Sequence, residues 1–501
     1  MLKIYKAGIK GNCFRIIQDM YSNATVCTRL SDGYSREIPV CRGVHQGNCW
    51  SPTLFNLFIN DLPQYLCDND SPILDKDKNI EVPCLLYADD LVILSTSKNG
   101  LQNKLNKLNH FCHNWGLKIN REKTKTIIFT HTEPKVPIFF VCGNDVIETV
   151  DQYKYLGVIF QKNGKFSQAQ EHLAKQANKA AHVLRRAFRG QDIKINIVTQ
   201  LYDKLVAPIS VYGAKVWFPF NEKIPNNSQS SSLFSLFENC ISQKFPHEKV
   251  HTQFCKRLLG LHCKVMNLPT LAELGRFPIT LRVICQMINF WIHITETKNN
   301  TYIQNIYNQA LNEKFNQKNV WIGYVKYILV SLGMGHVWSK QSTLSKIRLK
   351  HALRKRLEEV YTHFWIQKKN ENISRLQFYK QATANDIYRL EPYLTSSKAK
   401  LHRQALSKLR LSAHNLSIER GRHRKIPRED RKCSVCGVVE DEIHFLDNCT
   451  KFSNERKQFI DVVNTRFSGT LSNFIVSPSQ ALVIDELQEC FAQYVFECFS
   501  L

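Results

Sequence analysis

The spacing of apolar and polar positions divides the chain into a mixed front third and a helical remainder. Residues 25–30 and 34–40 have the look of two strands, and Ser31-Asp32-Gly33 joins them. Asp-Gly is a hairpin signal because it accepts the backbone angles of a tight turn. Ser51-Pro52 predicts a helix start, with Ser51 at the N-cap and Pro52 in the first turn. Leu54, Phe55, Leu57, Phe58 and Leu62 give that helix a broad apolar face, with Asp61 near its end. Residues 84–87 and 91–94 read as short strands flanking Ala88-Asp89-Asp90. Leu101, Leu105, Leu108, Phe111, Cys112 and Trp115 recur at helical spacing. Strand-like pieces return at 117–120, 126–129 and 155–160.

From about residue 165 the pattern is mostly helical. Leu173, Ala177, Ala180, Leu184 and Phe188 form one apolar stripe, and Lys175, Lys179, Arg185, Arg186 and Arg189 make much of the remaining surface basic. Residues 221–232 are Ser/Asn-rich and predict a linker. Residues 233–395 read as a helical connector. The segment 396–432 is the most basic, with Arg403, Lys408, Arg410, Arg420, Arg422, Arg424, Lys425, Arg428, Arg431 and Lys432 among its cations. No internal repeat is evident.

Composition narrows the function classes. Lys and Arg number 68 against 43 Asp and Glu, a formal charge of +25, and hydrophobic residues make up 43%. That balance excludes wholesale disorder and favours a polyanionic partner, usually nucleic acid. No apolar run approaches the roughly 18 residues of a membrane span, and the N-terminus lacks the apolar core of a signal peptide. The expectation is an intracellular chain of about three domains, with no membrane partner. The 17 cysteines are scattered, so most are expected to be buried reduced thiols.

Two features carry chemistry. The first is Tyr87-Ala88-Asp89-Asp90. Carboxylates beside a core are costly unless paired, and Mg²⁺ suits hard oxygen ligands, often one or two carboxylates plus substrate phosphates. Asp89 is expected as the principal ligand and Asp90 as the secondary one. The plain alternative is a polar turn with solvated acids. The pair does not stand alone. Upstream lies Gly43-Val44-His45-Gln46-Gly47-Asn48-Cys49-Trp50-Ser51-Pro52; downstream lie Asn120-Arg121-Glu122-Lys123-Thr124 and Tyr155-Leu156-Gly157-Val158.

In this order and spacing the motifs resemble the reverse transcriptase of LINE-type non-LTR retrotransposons. The resemblance implies an α+β fold: a partial polymerase palm over 1–160, thumb-like helices over 161–220, the linker 221–232, the helical connector 233–395, a basic segment with a zinc module over 396–470, and a partly helical tail over 471–501. Gly43, Gln46, Gly47 and Tyr87 match positions that face dNTP and template. Lys123 matches a lysine that assists the leaving pyrophosphate. Tyr155, Leu156 and Gly157 match the primer grip. Two metal ions of the family align the primer end with the dNTP. The partners implied are an RNA template and a DNA primer or target, in the nucleus or cytoplasm.

The family also uses an aspartate on a strand upstream of the Gly-Gln-Gly block. Only Asp19 and Asp32 precede Gly43; Asp19 lies in a helix-type stretch and Asp32 in the hairpin turn. The expectation is a 5′-truncated chain with little or no polymerase activity alone. The alternative is a nonenzymatic RNA- or DNA-binding remnant, possibly a domesticated one.

The second feature is Cys433-x₂-Cys436-x₇-His444-x₄-Cys449. Three thiolates and one imidazole complete a tetrahedral Zn²⁺ site with no open position, hence a structural one. The alternative is unrelated buried thiols and a surface histidine. His110, Cys112 and His113 cluster on one helix but lack a further ligand, and packing is expected there. Glu440-Asp441-Glu442 reads as an acidic helix start.

Overall fold

The computed structural model describes all residues except 23, 41–42, 46, 69, 76–79, 131–136, 219–230, 298–300, 313–319, 342–344, 372–376, 384–385, 397–398 and 468–476. The expected linker therefore lies almost wholly outside the described residues. The fold is mixed helix and strand, with helices predominating and sheets of two strands each, as the α+β expectation requires. It divides into two compact units. One is built mainly on Met1–Tyr153; the other takes Lys154–Phe160 and most of the chain from Gly164 onward.

In the first unit the helix Lys98–Trp115 organises the core. Ser97 caps it by accepting from the Gly100 N–H at 3.0 Å. Gly116 ends it at φ 63°, where a side chain would be strained. Its periodic residues Leu108, Phe111 and Cys112 pack with Leu62, Leu66 and Cys84, while Leu105 packs with Phe140, Cys142 and Ile147. Lys104 is buried on the same helix. Its ammonium donates to Ser71 Oγ and Leu94 O and lies 3.1 Å from the Asp68 carboxylate, so the charge keeps partners.

Several local expectations are corrected. The first hairpin is broken into two short ladders. Thr25–Val26 pairs with Ile38–Pro39, and Arg29–Leu30 with Gly33–Tyr34. Ser35 Oγ takes the Thr28 N–H between them, a side-chain substitute for a ladder bond. Ser51 is the first residue inside helix Ser51–Ile59 rather than its cap, and its hydroxyl donates to His45 O. Asp61 lies beyond that helix, at the start of Leu62–Leu66, and pairs with Lys3 at 2.6 Å. Residues 117–120 and 126–129 form no strands; Thr126 makes one isolated bridge to Thr149. The reason is local: Asn120 accepts from Lys123 N and Thr124 N, which folds 120–124 into a turn. The stretch 155–160 is split between strands Gln152–Tyr155 and Val158–Gln161 by the turn Leu156-Gly157, with φ 45° and 84°.

The second unit is helical. Helix Ser167–Ala187 buries Leu173, Ala177, Ala181 and Leu184 and leaves Lys175, Lys179, Arg185 and Arg186 exposed, close to the expected stripe. Helix Ile279–Glu296 is apolar on most sides, burying Val283, Ile284, Met287, Ile288 and Trp291. A buried polar knot ties distant segments together. Arg410 Nε donates to both Glu273 oxygens, and Tyr393 donates to Glu273 at 2.7 Å.

That knot revises the reading of the basic segment. Arg410 and Arg403 are buried and face Glu273 and Asp192 respectively. Arg422 pairs with Glu419, and Arg431 donates to the carbonyls of Ile426 and Ile418. These four arginines hold the fold together and are not open to a polyanion. Arg424, Lys425 and Lys432 have more open positions, and all three are exposed. The thiol expectation holds among the described residues: their cysteines are free, and nine are buried.

Candidate active-site hairpin and metal centre

Strands Cys84–Tyr87 and Asp90–Ile93 pair antiparallel, with Tyr87 opposite Asp90. Cys84 is buried, and Leu86, Leu91 and Ile93 pack against the core built on helix Lys98–Trp115. This anchors the base of the hairpin and pushes its tip outward. Ala88 and Asp89 form the two-residue turn, with Ala88 at φ 52°. The second strand begins at Asp90, one residue earlier than the apolar pattern suggests. Tyr87, Asp89 and Asp90 are all exposed. Among the described residues neither carboxylate has an ion-pair or hydrogen-bond partner, and no third acid, histidine or cysteine joins them in a ligand-sized cluster. Two solvated, unpaired carboxylates at an anchored tip suit a cation that also takes ligands from a substrate.

The other palm positions are distributed as follows. Gly43 and Gly47 adopt φ 94° and 87°, with open space where a Cβ would stand. Gln46 lies outside the described residues. Lys123 is exposed; its N–H donates to Asn120 Oδ1 and its carbonyl accepts from Tyr153. It forms no ion pair with either aspartate among the described residues. Tyr155, Leu156 and Gly157 belong to the second unit. There Tyr212 donates to Leu156 O at 3.1 Å, and a Cβ on Gly157 would stand 3.0 Å from the Tyr212 ring. Only glycine meets both the positive φ and that close approach.

The C-terminal cluster is brought together. One ligand atom from each of Cys433, Cys436, His444 and Cys449 lies within 4.8 Å of the others. Cys449 Sγ is 3.9 Å from Cys433 Sγ and 3.9 Å from Cys436 Sγ. A tetrahedron with Zn–S bonds of about 2.3 Å has edges of about 3.8 Å. Among the described residues the buried His444 Nε2 has no hydrogen-bond partner, the condition of an imidazole awaiting a ligand bond. The donor set fits Zn²⁺.

Local structure explains the convergence. The Gly437 N–H donates to Cys433 O and the Cys433 N–H to Val438 O, with Gly437 at φ 73°, so the first two cysteines sit on a tight knuckle. Residues His444–Asn448 form a wide π-type turn, closed by Cys449 N to His444 O at 2.7 Å. Asp441 Oδ1 accepts from His444 N, which makes part of the acidic run a helix-start cap as expected.

Sequence reading missed the supports. Arg456 donates to Leu446 O and Cys449 O, and Tyr494 donates to Leu446 O. Thr450 hydrogen-bonds to the Cys436 sulfur and holds its thiol below the usual range. Burial pushes Cys449 up to about 11. A hydroxyl residue directly after the last cysteine was the available signal for Thr450.

The aspartate hairpin thus lies in the first unit, and the cysteine–histidine knuckle in the largely helical second one. Residues 3–160 match the reverse transcriptase (RNA-dependent DNA polymerase) family. The chain is 30% identical over 198 residues to the RNA-directed DNA polymerase from mobile element jockey of Drosophila melanogaster, a match spanning 37% of this chain and 20% of that protein. It is 32% identical over 199 residues to the Pol polyprotein from the type-2 retrotransposable element R2DM of the same species, spanning 38% and 18%. The probable RNA-directed DNA polymerase from transposon BS, also of Drosophila melanogaster, matches at 27% over 212 residues, spanning 41% and 23%. The chain thus spans about a fifth of the length of these relatives. Residues 3–160 carry a reverse transcriptase domain of the non-LTR retrotransposon kind, as the motif order implied.

Proposed function

We propose that this chain is part of an RNA-directed DNA polymerase of a non-LTR retrotransposon. Asp89 and Asp90 hold divalent metal, with Mg²⁺ as the ordinary ion. Gly43, Gln46, Gly47 and Tyr87 face dNTP and template, Lys123 stands by the leaving pyrophosphate, and Tyr155, Leu156 and Gly157 support the primer end. When bound, the metal stabilises the attacking and leaving oxygens of phosphoryl transfer. Cys433, Cys436, His444 and Cys449 hold a structural Zn²⁺, and the exposed cations beside them meet RNA template and DNA primer or target in the nucleus or cytoplasm. The carrying observation is the match over 3–160, combined with an unpaired aspartate pair at the tip of an exposed hairpin.

A second reading, nonenzymatic nucleic-acid binding, is favoured by one observation. No third acid accompanies Asp89 and Asp90 among the described residues. Metal positioning with two carboxylates is weak, so this stretch tested alone extends primers poorly. The test is DNA-primer extension on an RNA template with Mg²⁺ or Mn²⁺, for the chain and for Asp89→Ala. Trace extension abolished in Asp89→Ala supports the polymerase reading with an incomplete metal site. Robust extension refutes the need for a third carboxylate. Equal signal from chain and variant, with intact template–primer binding, supports the binding reading instead.

A further inference from the structure

A cavity of about 660 Å³ opens within the second unit. Its walls come from the C-terminal end of helix Ser167–Ala187 and from helices Ile195–Leu205, Pro246–Leu258 and Lys400–Arg410. It shares no residue with the aspartate hairpin or the cysteine cluster. Buried Leu184, Ile195, Val198 and Val250 line one part of it, and the half-buried rings of Phe188 and Phe254 join them.

The rest of the lining is cationic. Arg185, Arg186, Arg189, Arg257 and Lys400 all contribute, and Lys400 and the four arginines are exposed. The acid of the lining, Asp192, is already engaged by Arg403. Among the described residues, the side chains of Arg186, Arg189, Arg257 and Lys400 have no carboxylate or hydrogen-bond partner. Slight burial, then the fields of Arg257, Arg185 and Arg186, hold the His182 imidazole below its ordinary range.

A solvated basic helix face is the ordinary explanation of surface arginines. Here the cations come from separate helices and converge on one apolar-walled recess. Like charges so gathered repel one another, and a bound anion removes that repulsion. The volume is that of a small-ligand pocket, larger than a lone phosphate needs. Aromatic rings beside unpaired arginines suit a base and its phosphate.

We propose that this cavity binds a phosphate-bearing nucleotide, its phosphate against Arg186, Arg189, Arg257 and Lys400 and its base against Phe188 and Phe254. The occupant is a free nucleotide or a nucleotide unit of a single strand. The site stands on the cavity alone. A chain that held nucleic acid only through its zinc-flanking tail would show no dependence on these residues and would leave the polymerase reading untouched.

The test uses the full chain and a short fluorescein-labelled oligouridylate, read by anisotropy across a salt series. Arg186→Gln/Arg189→Gln is expected to weaken binding at least tenfold and to lower the salt slope by about 2. Both arginines are exposed with unpartnered side chains, so zinc content and melting temperature stay at wild-type values. Phe188→Ala is expected to weaken binding several-fold with the salt slope unchanged. Competition with ATP identifies the source: displacement by ATP marks a free-nucleotide site, and resistance to ATP with displacement by unlabelled strand marks a strand site. Wild-type affinity and slope in the double variant overturn the pocket. Wild-type affinity in Phe188→Ala overturns the nucleotide as its ligand.

Discussion

The sulfurs of Cys433 and Cys449 stand 3.9 Å apart across a 16-residue separation, too far for a disulfide and close to one edge of a zinc tetrahedron. Cys436 repeats that distance to Cys449, and the buried Nε2 of His444 has no hydrogen-bond partner among the described residues. The chain is therefore expected to carry one zinc at this cluster. Cys433→Ser, analysed for metal after dialysis, should lose it. A variant that weakens zinc a hundredfold should cost about 2.7 kcal/mol of stability at saturating metal. Unchanged zinc content in Cys433→Ser would dismiss the site.

The pairing of Arg410 with Glu273 is expected to be costly to break on one side only. Both side chains are buried, and Glu273 also accepts from Tyr393. Glu273→Ala leaves a guanidinium without its chief partner, a change worth about 3–5 kcal/mol. Chemical denaturation measures it. A loss under about 1 kcal/mol would mean that water or Glu391 replaces the carboxylate.

Gly157 provides a geometric prediction. Gly157→Ala places a Cβ 3.0 Å from the Tyr212 ring at φ 84°, so strain and contact add. A loss of about 1–3 kcal/mol is expected, with much of the contact part recovered in Gly157→Ala/Tyr212→Ala. Additive losses in the double variant would count against the contact.

His247 predicts the acid side of the stability profile. Burial, opposed by Glu248 and assisted by His251, pulls its pKa down to about 4, and it hydrogen-bonds Thr280 in the core. Between about pH 6.5 and 4 the unfolded chain takes up a proton that the folded protein refuses. Stability is therefore present at pH 7 and lost as pH falls, by up to about 1.4 kcal/mol per unit from this group. Melting temperatures of wild type and His247→Gln should converge as pH drops. Parallel curves would show that His247 does not titrate differently on folding.

Locality decided which features were legible in the sequence. The hairpin around Asp89 and the helix Lys98–Trp115 were readable because their periodicity, cap and C-terminal glycine are all local. The 120–124 turn was not, because Asn120 diverts the backbone with its own side chain and carbonyl. The zinc ligands were readable by spacing, and Thr450 only by its place directly after Cys449, whereas Arg456 has no fixed offset that marks it. The basic run misled most. Whether Arg410 faces solvent or core depends on Glu273, 137 residues away in the chain, and no charge count shows that.

If the exposed pair Asp89 and Asp90 holds the polymerase metal, Mn²⁺ in place of Mg²⁺ should report it by electron paramagnetic resonance. With RNA template, DNA primer and dNTP present, the chain should give a dNTP-dependent signal of bound Mn²⁺. Asp89→Asn should lose that signal and keep its nucleic-acid binding. The same bound Mn²⁺ in Asp89→Asn as in the wild type would place the metal elsewhere and remove the aspartate pair from the chemistry.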